Sequence, residues 1–414
     1  MKAWNRPLVP TLPGESLAPC LYDTATNGLV EAHTGDIARL YVCGITPYDA
    51  THMGHAATYL AYDTLQRVWL DAGLEVHYAQ NITDIDDPLL ERAAATGVDW
   101  RDLAQSQVEL FRGDMEALSI LPPENYVAVT EVLDEIAEAV RRLQVAGAAY
   151  SVPTPDSRVG DDIYFDSAKA AELGPWALGD VSNYDADTML RFFSERGGDP
   201  DREGKRDPLD PLLWRAAREN EPSWPSSVGR GRPGWHIECS VIALMELGTD
   251  FTVQGGGSDL VFPHHELSAG HAAALSGHPL ARVYSHAGLV AYQGEKMSKS
   301  LGNLVLVSRL IEEGVDPRSI RLAILAHHYR SDWEWTASVL STATERLSTW
   351  RTAFASDTTG GSDSESTIAE LRAALRQDLD TPRALQVIDT AAQLGATDAA
   401  LLRRAIHALL GVEL

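Results

Sequence analysis

The sequence predicts an α/β fold in which a parallel sheet carries an inserted subdomain and is followed by a helical C-terminal part. Strand-like and helix-like segments alternate over 40–80 and again over 236–286, as is typical of βαβ units. After residue 305 the apolar spacing is helical to the end. The chain has 414 residues, for which two or three domains are expected. The predicted parts are an N-terminal arm (1–33), an α/β domain (34–305, with an insertion at about 98–233) and a C-terminal helical domain (306–414).

The first βαβ unit is the most regular part of the chain. The run Leu40-Tyr41-Val42-Cys43 has the composition of a buried strand. A helix over about 55–72 follows, because apolar residues recur there at intervals of three and four and Gly73 provides a stop. A second strand at 75–80 leads into an acidic turn at 84–87.

The later elements are predicted from the same patterns. In chain order they are helices near 100–119 and 128–147, a β-rich segment at 149–165 that opens a less regular region reaching about 233, a helix at 236–247, a strand at 251–254, a glycine turn at 255–257, a helix at 263–276, a strand at 283–286 and a short loop at 291–300. Further on, the Gly/Ser/Thr composition of 358–362 predicts a flexible linker.

Composition and charge narrow the classes of partner. There are 34 Lys+Arg against 59 Asp+Glu, so the formal net charge is −25, and a diffuse negative field repels nucleic acid. We therefore expect no nucleic-acid partner. The fractions of hydrophobic residues (44%) and charged residues (22%) are typical of a globular protein.

The sequence indicates neither secretion nor a membrane. Residues 1–17 lack the apolar core of a signal peptide, and no apolar run reaches roughly 18 residues. The three cysteines, Cys20, Cys43 and Cys239, do not make a disulfide framework, so we expect a reducing cytoplasm. An important cysteine is then better interpreted as a ligand or nucleophile than as a disulfide partner.

Two short motifs are suited to phosphate chemistry. His52-Met53-Gly54-His55 opens the first long helix, where unpaired N–H groups and imidazoles attract phosphate. Two surface histidines capping a helix would give the same pattern. Lys296-Met297-Ser298-Lys299-Ser300, near Gly294 and Gly302, is able to close over a triphosphate, although a solvated basic loop would look alike.

Together and in this order, the two motifs resemble the HIGH and KMSKS elements of class I aminoacyl-tRNA synthetases, whose catalytic core is a Rossmann-like parallel sheet. Longer stretches resemble cysteinyl-tRNA synthetase, and the similarity runs from about 21 to 350. These stretches are Tyr41-Val42-Cys43-Gly44-Ile45-Thr46, Asn81-Ile82-Thr83-Asp84-Ile85-Asp86-Asp87, Gly234-Trp235-His236-Ile237-Glu238-Cys239, Gly255-Gly256-Gly257-Ser258-Asp259 and Phe262-Pro263-His264-His265-Glu266.

The resemblance implies a zinc ion that selects cysteine, with Cys43, Cys239 and His264 as its ligands. Zinc prefers thiolate and imidazole, and a catalytic site keeps one position open. The synthetases have a glutamate four residues after the ligand histidine, where this chain has Ser268. We therefore expect three protein ligands and a water that the substrate sulfur displaces, with His265 and Glu266 projecting elsewhere.

The resemblance also implies ATP with Mg²⁺ as co-substrate and assigns residues to it. The catalytic residues are His52, His55, Lys296 and Lys299. The residues implied to bind ATP and the cysteinyl-adenylate are Cys43, Gly44, Ile45, Thr46, Thr58, Asn81, Ile82, Thr83, Trp235, Gly257, Ser258, Asp259 and Val290.

Two departures favour a related family. The element Glu195-Arg196-Gly197-Gly198-Asp199-Pro200 resembles one in the paralogous mycothiol-pathway ligases of actinobacteria, which couple cysteine to the amine of glucosaminyl-inositol. The chain also ends at Leu414, before the helical and anticodon-reading parts that the synthetases carry. We expect a monomeric, AMP-forming ligase with L-cysteine, ATP and glucosaminyl-inositol as substrates, and the 195–200 element near the sugar.

Several alternatives stay open from sequence. The chain would otherwise be a truncated cysteinyl-tRNA synthetase, a cysteine-sensing binding protein without catalysis, or a ligase for another amine. The acidic turn is similarly ambiguous. Asp84 and Asp86 are candidates for the general base, but with Asp87 they also suit helix capping or a Mg²⁺ site.

Overall fold

The computed structural model describes residues 1–33, 35–48, 51–297 and 302–414. Its strands are β1 (Cys20–Asp23), β2 (Gly28–Glu31), β3 (Ile37–Val42), β4 (Glu75–Ile82), β5 (Asn125–Ala128), β6 (Ala149–Val152), β7 (Asp162–Phe165), β8 (Leu212–Ala216), β9 (Gly231–Pro233), β10 (Phe251–Gly257), β11 (Ala281–Ala287), β12 (Val290–Tyr292), β13 (Glu295–Lys296) and β14 (Trp333–Glu334). Its α-helices are α1 (Met53–Asp71), α2 (Asp87–Thr96), α3 (Trp100–Ala117), α4 (Leu133–Ala146), α5 (Ser167–Ala170), α6 (Ala186–Glu195), α7 (Trp235–Leu247), α8 (Glu266–Ser276), α9 (Val307–Glu312), α10 (Pro317–Leu325), α11 (Ala337–Ala353), α12 (Ser364–Arg376), α13 (Thr381–Leu394) and α14 (Ala399–Ala405).

A five-stranded parallel sheet forms the centre of the fold, in the order β11-β10-β3-β4-β5. Its strands are buried over most of their length because helices cover both faces. The predicted α/β class is confirmed. The order reverses between β3 and β10, and in such sheets ligands bind where the carboxyl ends of the strands meet at this point.

The glycines at 255–257 continue β10, so the prediction of a turn there is wrong. They pair with Ser285, His286 and Ala287 of β11. A Cβ at Gly255 would lie 2.6 Å from the Tyr62 ring, whose hydroxyl donates to the carbonyl oxygens of Gly256 (3.1 Å) and Ser285 (2.6 Å). The glycines therefore allow α1 to approach the strand closely, rather than allowing a turn.

A second, antiparallel sheet has the order β6-β7-β8-β9 and lies within the predicted insertion. β5 also falls inside that predicted range but joins the parallel sheet, so the part with its own sheet begins at Ala149. Helix α2 was not predicted. It begins directly after the acidic turn, with the Asp86 carboxylate accepting from the Asp87 N–H (2.8 Å) and Pro88 in its first turn.

The C-terminal part is helical, as predicted, apart from β14. This strand pairs in parallel with β12, which also pairs with β13, so a three-stranded sheet joins the end of the α/β domain to the helices. The expected flexible linker at 358–362 is instead fixed by backbone hydrogen bonds, because Thr358 N–H donates to Ala396 and Ser362 N–H to Gly395 (2.7 and 2.8 Å).

The N-terminal residues pack onto the same core. Trp4 is buried and its indole N–H donates to the Ile120 carbonyl (2.7 Å). The β1–β2 hairpin lies beside β11, where the Asp23 carboxylate accepts from Tyr284 N–H (2.8 Å). The first 33 residues thus contribute to the core of the α/β domain.

A buried ion network joins α1 to the C-terminal helices. The Asp63 carboxylate accepts from Arg67 Nε (2.8 Å) and from Arg321, and these three side chains are at most 1% exposed. The two guanidinium groups also donate to the carbonyl oxygens of Ser119 and Leu410. Burial alone would raise the pKa of Asp63, but the charges of Arg321 and Arg67 outweigh it and lower that pKa.

We expect Asp63→Asn to lower the free energy of unfolding by about 3 kcal/mol, because it leaves two buried guanidinium groups without their carboxylate. The difference between wild type and variant is fully present above the unfolded carboxyl pKa of about 3.9 and is lost as pH falls through the lower folded value. Urea unfolding at several pH values measures it. Glu138→Gln, which breaks an exposed pair with Arg141, is the control and should leave the free energy of unfolding nearly unchanged. Equal effects of the two substitutions would contradict the prediction.

Candidate active site

A cleft of about 390 Å³ opens where β3 and β10 end, at the switch point of the sheet. Loops after both strands, the start of α1 and the segment after β11 form its walls. Its lining residues are Cys43, Gly44, Ile45, Thr46, Tyr48, His52, Gly54, His55, Thr58, Tyr59, Trp235, Gly257, Asp259, Leu260, Gly288, Leu289, Val290, Met297 and Leu304.

The two histidines of the first motif stand together at the start of α1. Their rings stack with centroids 3.9 Å apart. His52 caps the helix, because its Nδ1 accepts from the Gly54 N–H (3.1 Å), which leaves Nε2 as the N–H donor of the neutral ring. A Cβ at Gly54 would lie 2.8 Å from the His52 ring, so the glycine makes room for this cap.

The remaining predicted adenylate residues divide into two groups. Gly44, Ile45, Thr46, Thr58, Trp235, Gly257, Asp259 and Val290 line the cleft. Asn81, Ile82 and Thr83 are buried behind it, and Ser258 begins the short helical turn after β10, outside the lining.

Asn81 supports the cleft from behind. Its Oδ1 accepts from the Gly44 N–H (2.8 Å) and the Tyr41 hydroxyl (3.1 Å), and its Nδ2 donates to Thr83 (3.1 Å). A Cβ at Gly44 would lie 1.6 Å from the Asn81 carbonyl oxygen. The backbone approach that shapes this wall of the cleft therefore requires glycine.

Of the predicted lysines, Lys299 lies outside the described residues, and so does the side chain of Lys296. The backbone of Lys296 ends β13. The next described residue, Met297, is buried and lines the cleft, and Val305 accepts a backbone hydrogen bond from Met53 (2.9 Å). The chain segments on both sides of the second motif therefore adjoin the start of α1.

Cys43, which lines the cleft, comes together with the buried Cys239 and His264. One ligand atom from each lies within 4.8 Å of the others, and these side chains are buried. Two thiols and an imidazole are the donors that zinc prefers, and three protein donors leave a fourth tetrahedral position for a further ligand. The residues present therefore fit the implied zinc ion.

His265 also reaches this donor set, contrary to the expectation that it projects elsewhere. Its Nε2 lies 3.3 Å from Cys43 Sγ, and its Nδ1 lies 2.8 Å from His286 Nε2. The expectation assumed a regular helix, but residues 261–265 form an irregular turn in which Phe262 is extended. Gln254 Nε2 likewise donates to Cys43 Sγ (3.3 Å), a contact that the sequence pattern did not indicate.

Burial sets the charge of this region. It lowers the pKa of His271 and His286 to about 3 and that of His236 and His265 well below the usual value, so these rings are neutral at neutral pH. Burial raises the pKa of the Cys43 thiol. For Cys239 burial acts in the same sense, but the hydrogen bond with Cys43 and the charge of His264 outweigh it and lower the pKa.

The 195–200 element lies next to the cleft, but its polar side chains form hydrogen bonds with other residues of the protein. Arg196 donates to the carbonyl oxygen of Asp259 (2.6 Å), and the Asp199 carboxylate accepts from Lys205 Nζ (3.0 Å) and from the Tyr164 hydroxyl. A direct contact of this element with a sugar stays a prediction.

The acidic turn is used mainly in local structure. Asp86 caps α2, Asp84 accepts from the Thr130 N–H (3.0 Å), and Asp87 pairs with Arg232. Burial raises the pKa of Asp86 to about 6, and that of the neighbouring Glu238 well above its usual value. These contacts favour the capping interpretation over a Mg²⁺ site.

A model of the family described as tRNA synthetases class I (C) catalytic domain matches residues 29–345. The chain belongs to this family. Among the described residues, the helices include none with both the length and the apolar character that crossing a bilayer requires.

Two curated relatives of this class I chain match it over its full length. A protein of Clavibacter michiganensis subsp. michiganensis is 61% identical, with 100% of this chain and 99% of the relative covered. A protein of Thermobispora bispora is 57% identical, with 100% of both chains covered. Each is named L-cysteine:1D-myo-inositol 2-amino-2-deoxy-alpha-D-glucopyranoside ligase.

A solved class I structure supports the fold. Mycobacterium tuberculosis methionyl-tRNA synthetase, in complex with methionyl-adenylate, is similar with a TM-score of 0.59 at 17% identity. The match covers 91% of this chain and 82% of that one. At this identity the likeness concerns the fold, and it confirms the predicted Rossmann-like synthetase core.

Ser268 stands four residues after His264, where the resemblance to the synthetases implies a ligand glutamate. Ser268 is buried, and its hydroxyl donates to the His236 carbonyl (3.2 Å). Glu266 is turned toward the inserted part, where its carboxylate accepts from Trp176 Nε1 (2.9 Å) and Ser182 N–H (2.7 Å). Neither side chain belongs to the three-residue donor set.

We expect Cys239→Ser to reduce bound zinc from about one ion per chain to almost none after dialysis, because a hydroxyl is a poor zinc ligand. Metal analysis of the purified chain measures this. Cys20→Ser is the matched control, since Cys20 lies in β1 and is not part of the donor set, and it should retain zinc. Equal zinc in both variants would contradict the assignment of the site.

Proposed function

We propose that the chain is an ATP-dependent, AMP-forming ligase that activates L-cysteine as cysteinyl-adenylate and transfers it to the amine of glucosaminyl-inositol, in mycothiol biosynthesis. The observation that carries the proposal is that one cleft is lined both by the His52–His55 pair and by Cys43, a member of the buried cysteine/histidine donor set. The names of the full-length relatives support the same acceptor. We further propose that it acts as a cytoplasmic monomer.

In the first step, the cysteine carboxylate attacks the α-phosphorus of Mg-bound ATP, and the bond to pyrophosphate breaks. His52 lines the cleft at the start of α1, and the N–H groups of this helix end together with the Nε2–H of His52 would stabilise the added negative charge. His55, stacked on His52, would share this role, and so would Lys296 and Lys299 by the family resemblance. The Gly44 wall and Asp259 would hold the ribose and acyl parts of the adenylate.

Selection of cysteine would depend on the cysteine/histidine donor set. Cys43, Cys239 and His264 would hold a zinc ion, which when bound supplies a Lewis-acidic position for the substrate thiolate. Gln254 and His265 orient the Cys43 sulfur through their contacts of 3.3 Å. Serine and alanine lack a thiolate, so discrimination needs no editing site.

In the second step, the sugar amine attacks the acyl carbon, AMP leaves with the C–O bond electrons, and an amide forms. The amine must lose a proton, and Asp84 and Asp86 stay the candidates for the general base. Burial raises the pKa of both carboxyl groups, that of Asp86 to about 6, which is in the range useful for a general base at neutral pH.

The acceptor can be tested by following AMP release with ATP and cysteine fixed. We expect turnover and a cysteinyl amide with glucosaminyl-inositol, and none with deacylated cysteine tRNA, because the net charge of −25 disfavours nucleic acid. Turnover with the tRNA alone would contradict the proposal and favour the alternative, a cysteinyl-tRNA synthetase. Absence of pyrophosphate formation under all conditions would favour a cysteine-binding protein.

The role of His52 can be separated from its cap. His52→Ala and His52→Asn both remove the Nε2–H donor, and we expect each to lower kcat of cysteine-dependent pyrophosphate exchange roughly 10²-fold. Asn is a good N-cap and Ala is not, so only the Ala variant should also lose about 1 kcal/mol of stability. Exchange kinetics and urea unfolding measure the two effects. Full activity of His52→Asn would contradict the catalytic role and leave only the cap.

A further inference from the structure

In the turn after β10, two carbonyl groups do not accept the hydrogen bond that a regular helix provides from the N–H four residues later. The residue four positions after Asp259 is Pro263, which has no N–H to donate. Phe262 is extended (φ −141°, ψ 135°), so its carbonyl leaves the helical direction before α8 begins. Buried carbonyl groups of this kind need donors from elsewhere in the protein.

Arg196 supplies these donors. Its Nη1 donates to the carbonyl oxygen of Asp259 (2.6 Å) and to that of Phe262. The guanidinium group also stacks on the Phe192 ring at 4.1 Å, which fixes its plane. One side chain at the end of α6 thus contacts the turn at two points, Asp259 and Phe262.

The turn carries functional residues at both ends. Asp259 lines the cleft, and His264 belongs to the metal donor set. A shift of this turn would therefore move an adenylate-side residue and a metal ligand together. The Trp235 ring, which lines the cleft, packs against the His264 ring with centroids 4.5 Å apart, so it would move as well.

The rest of the 195–200 element ties Arg196 to the antiparallel sheet. Gly198 lies so close to the Phe193 ring that a Cβ would be 2.3 Å from it. Asp199 pairs with Lys205, whose side chain is 2% exposed, and accepts from the Tyr164 hydroxyl of β7. The element therefore connects the inserted sheet to the catalytic turn.

We propose that Arg196 is a positioning residue that fixes the 258–265 turn, and with it Asp259 and His264, and that the 195–200 element acts as the support of the adenylation site. This gives the 195–200 element, which is expected near the sugar, a role in cysteine activation. The inference rests on the proposed function only through its first half-reaction, cysteine activation, and does not depend on the identity of the amine.

Pyrophosphate exchange with ATP and cysteine tests the proposal, because no amine takes part. For Arg196→Ala we expect kcat/KM for ATP to fall roughly 10- to 100-fold, as expected when reacting groups are displaced by about 1 Å. Zinc release to a chelator should also become faster, since His264 loses its support. In single-turnover transfer from preformed cysteinyl-adenylate, the sugar concentration at half-maximal rate should not change.

Arg191→Ala is the matched control. Arg191 is exposed, lies on α6 and also stacks on the Phe192 ring (4.7 Å). Its removal deletes a cation–ring contact with Phe192 but leaves the hydrogen bonds from Arg196 to the turn. Arg196→Lys keeps a cation that can donate to carbonyl oxygens. We expect its kcat/KM for ATP and its rate of zinc release to lie between those of the wild type and Arg196→Ala. The Lys variant also provides the comparison if the Ala variant does not fold.

Two results would overturn the proposal. One is that Arg196→Ala matches Arg191→Ala in both exchange and zinc release. The other is unchanged exchange together with a raised sugar requirement, which would restore the sugar-binding interpretation. If the wild type exchanges no pyrophosphate, the proposed function fails, and zinc release from the two variants still decides the role of Arg196.

Discussion

The architecture depends on a buried charge network at the middle of the longest helix. In the buried interior, Asp63 of α1 pairs with Arg67 of the same helix and with Arg321 of α10, and the guanidinium groups donate to carbonyl oxygens from the 118–121 loop and the C-terminal turn. The position of α1 therefore depends on contacts with the C-terminal part of the chain. Because the histidine pair begins the same helix, the C-terminal helices contribute to the geometry of the active site without touching it.

Much of the fold could be predicted from the sequence. The strands of the parallel sheet are buried on both sides, so each of β3, β4, β10 and β11 contains a short stretch rich in apolar residues, and the helix after β3 keeps a clear apolar spacing. The errors have physical causes. The glycines of β10 lie in a strand because Tyr62, a residue far away in the chain, packs against them, and residues 358–362 are fixed by the loop that follows α13.

Less of the candidate site could be predicted from the sequence. Spacing does not bring Cys43 and Cys239 together, and only the family resemblance indicated that they share a site with His264. His265 and Gln254 were missed because their contacts with Cys43 depend on an irregular turn and on the register of β10. For Arg196, Pro263 is a usable signal in retrospect, because a proline inside a helical pattern indicates that a carbonyl upstream needs another donor.

The small sheet of β12, β13 and β14 would be broken if the chain were divided at residue 305. Its middle strand follows β11, and one of its edge strands comes after α10, so backbone hydrogen bonds connect segments on both sides of residue 305. The sequence pattern changes from α/β to helical at this residue, which would make it an obvious site for producing two fragments or inserting a reporter. Fragments separated there would each expose an unpaired strand edge, and the edge on the first fragment would belong to β12, whose Val290 lines the cleft.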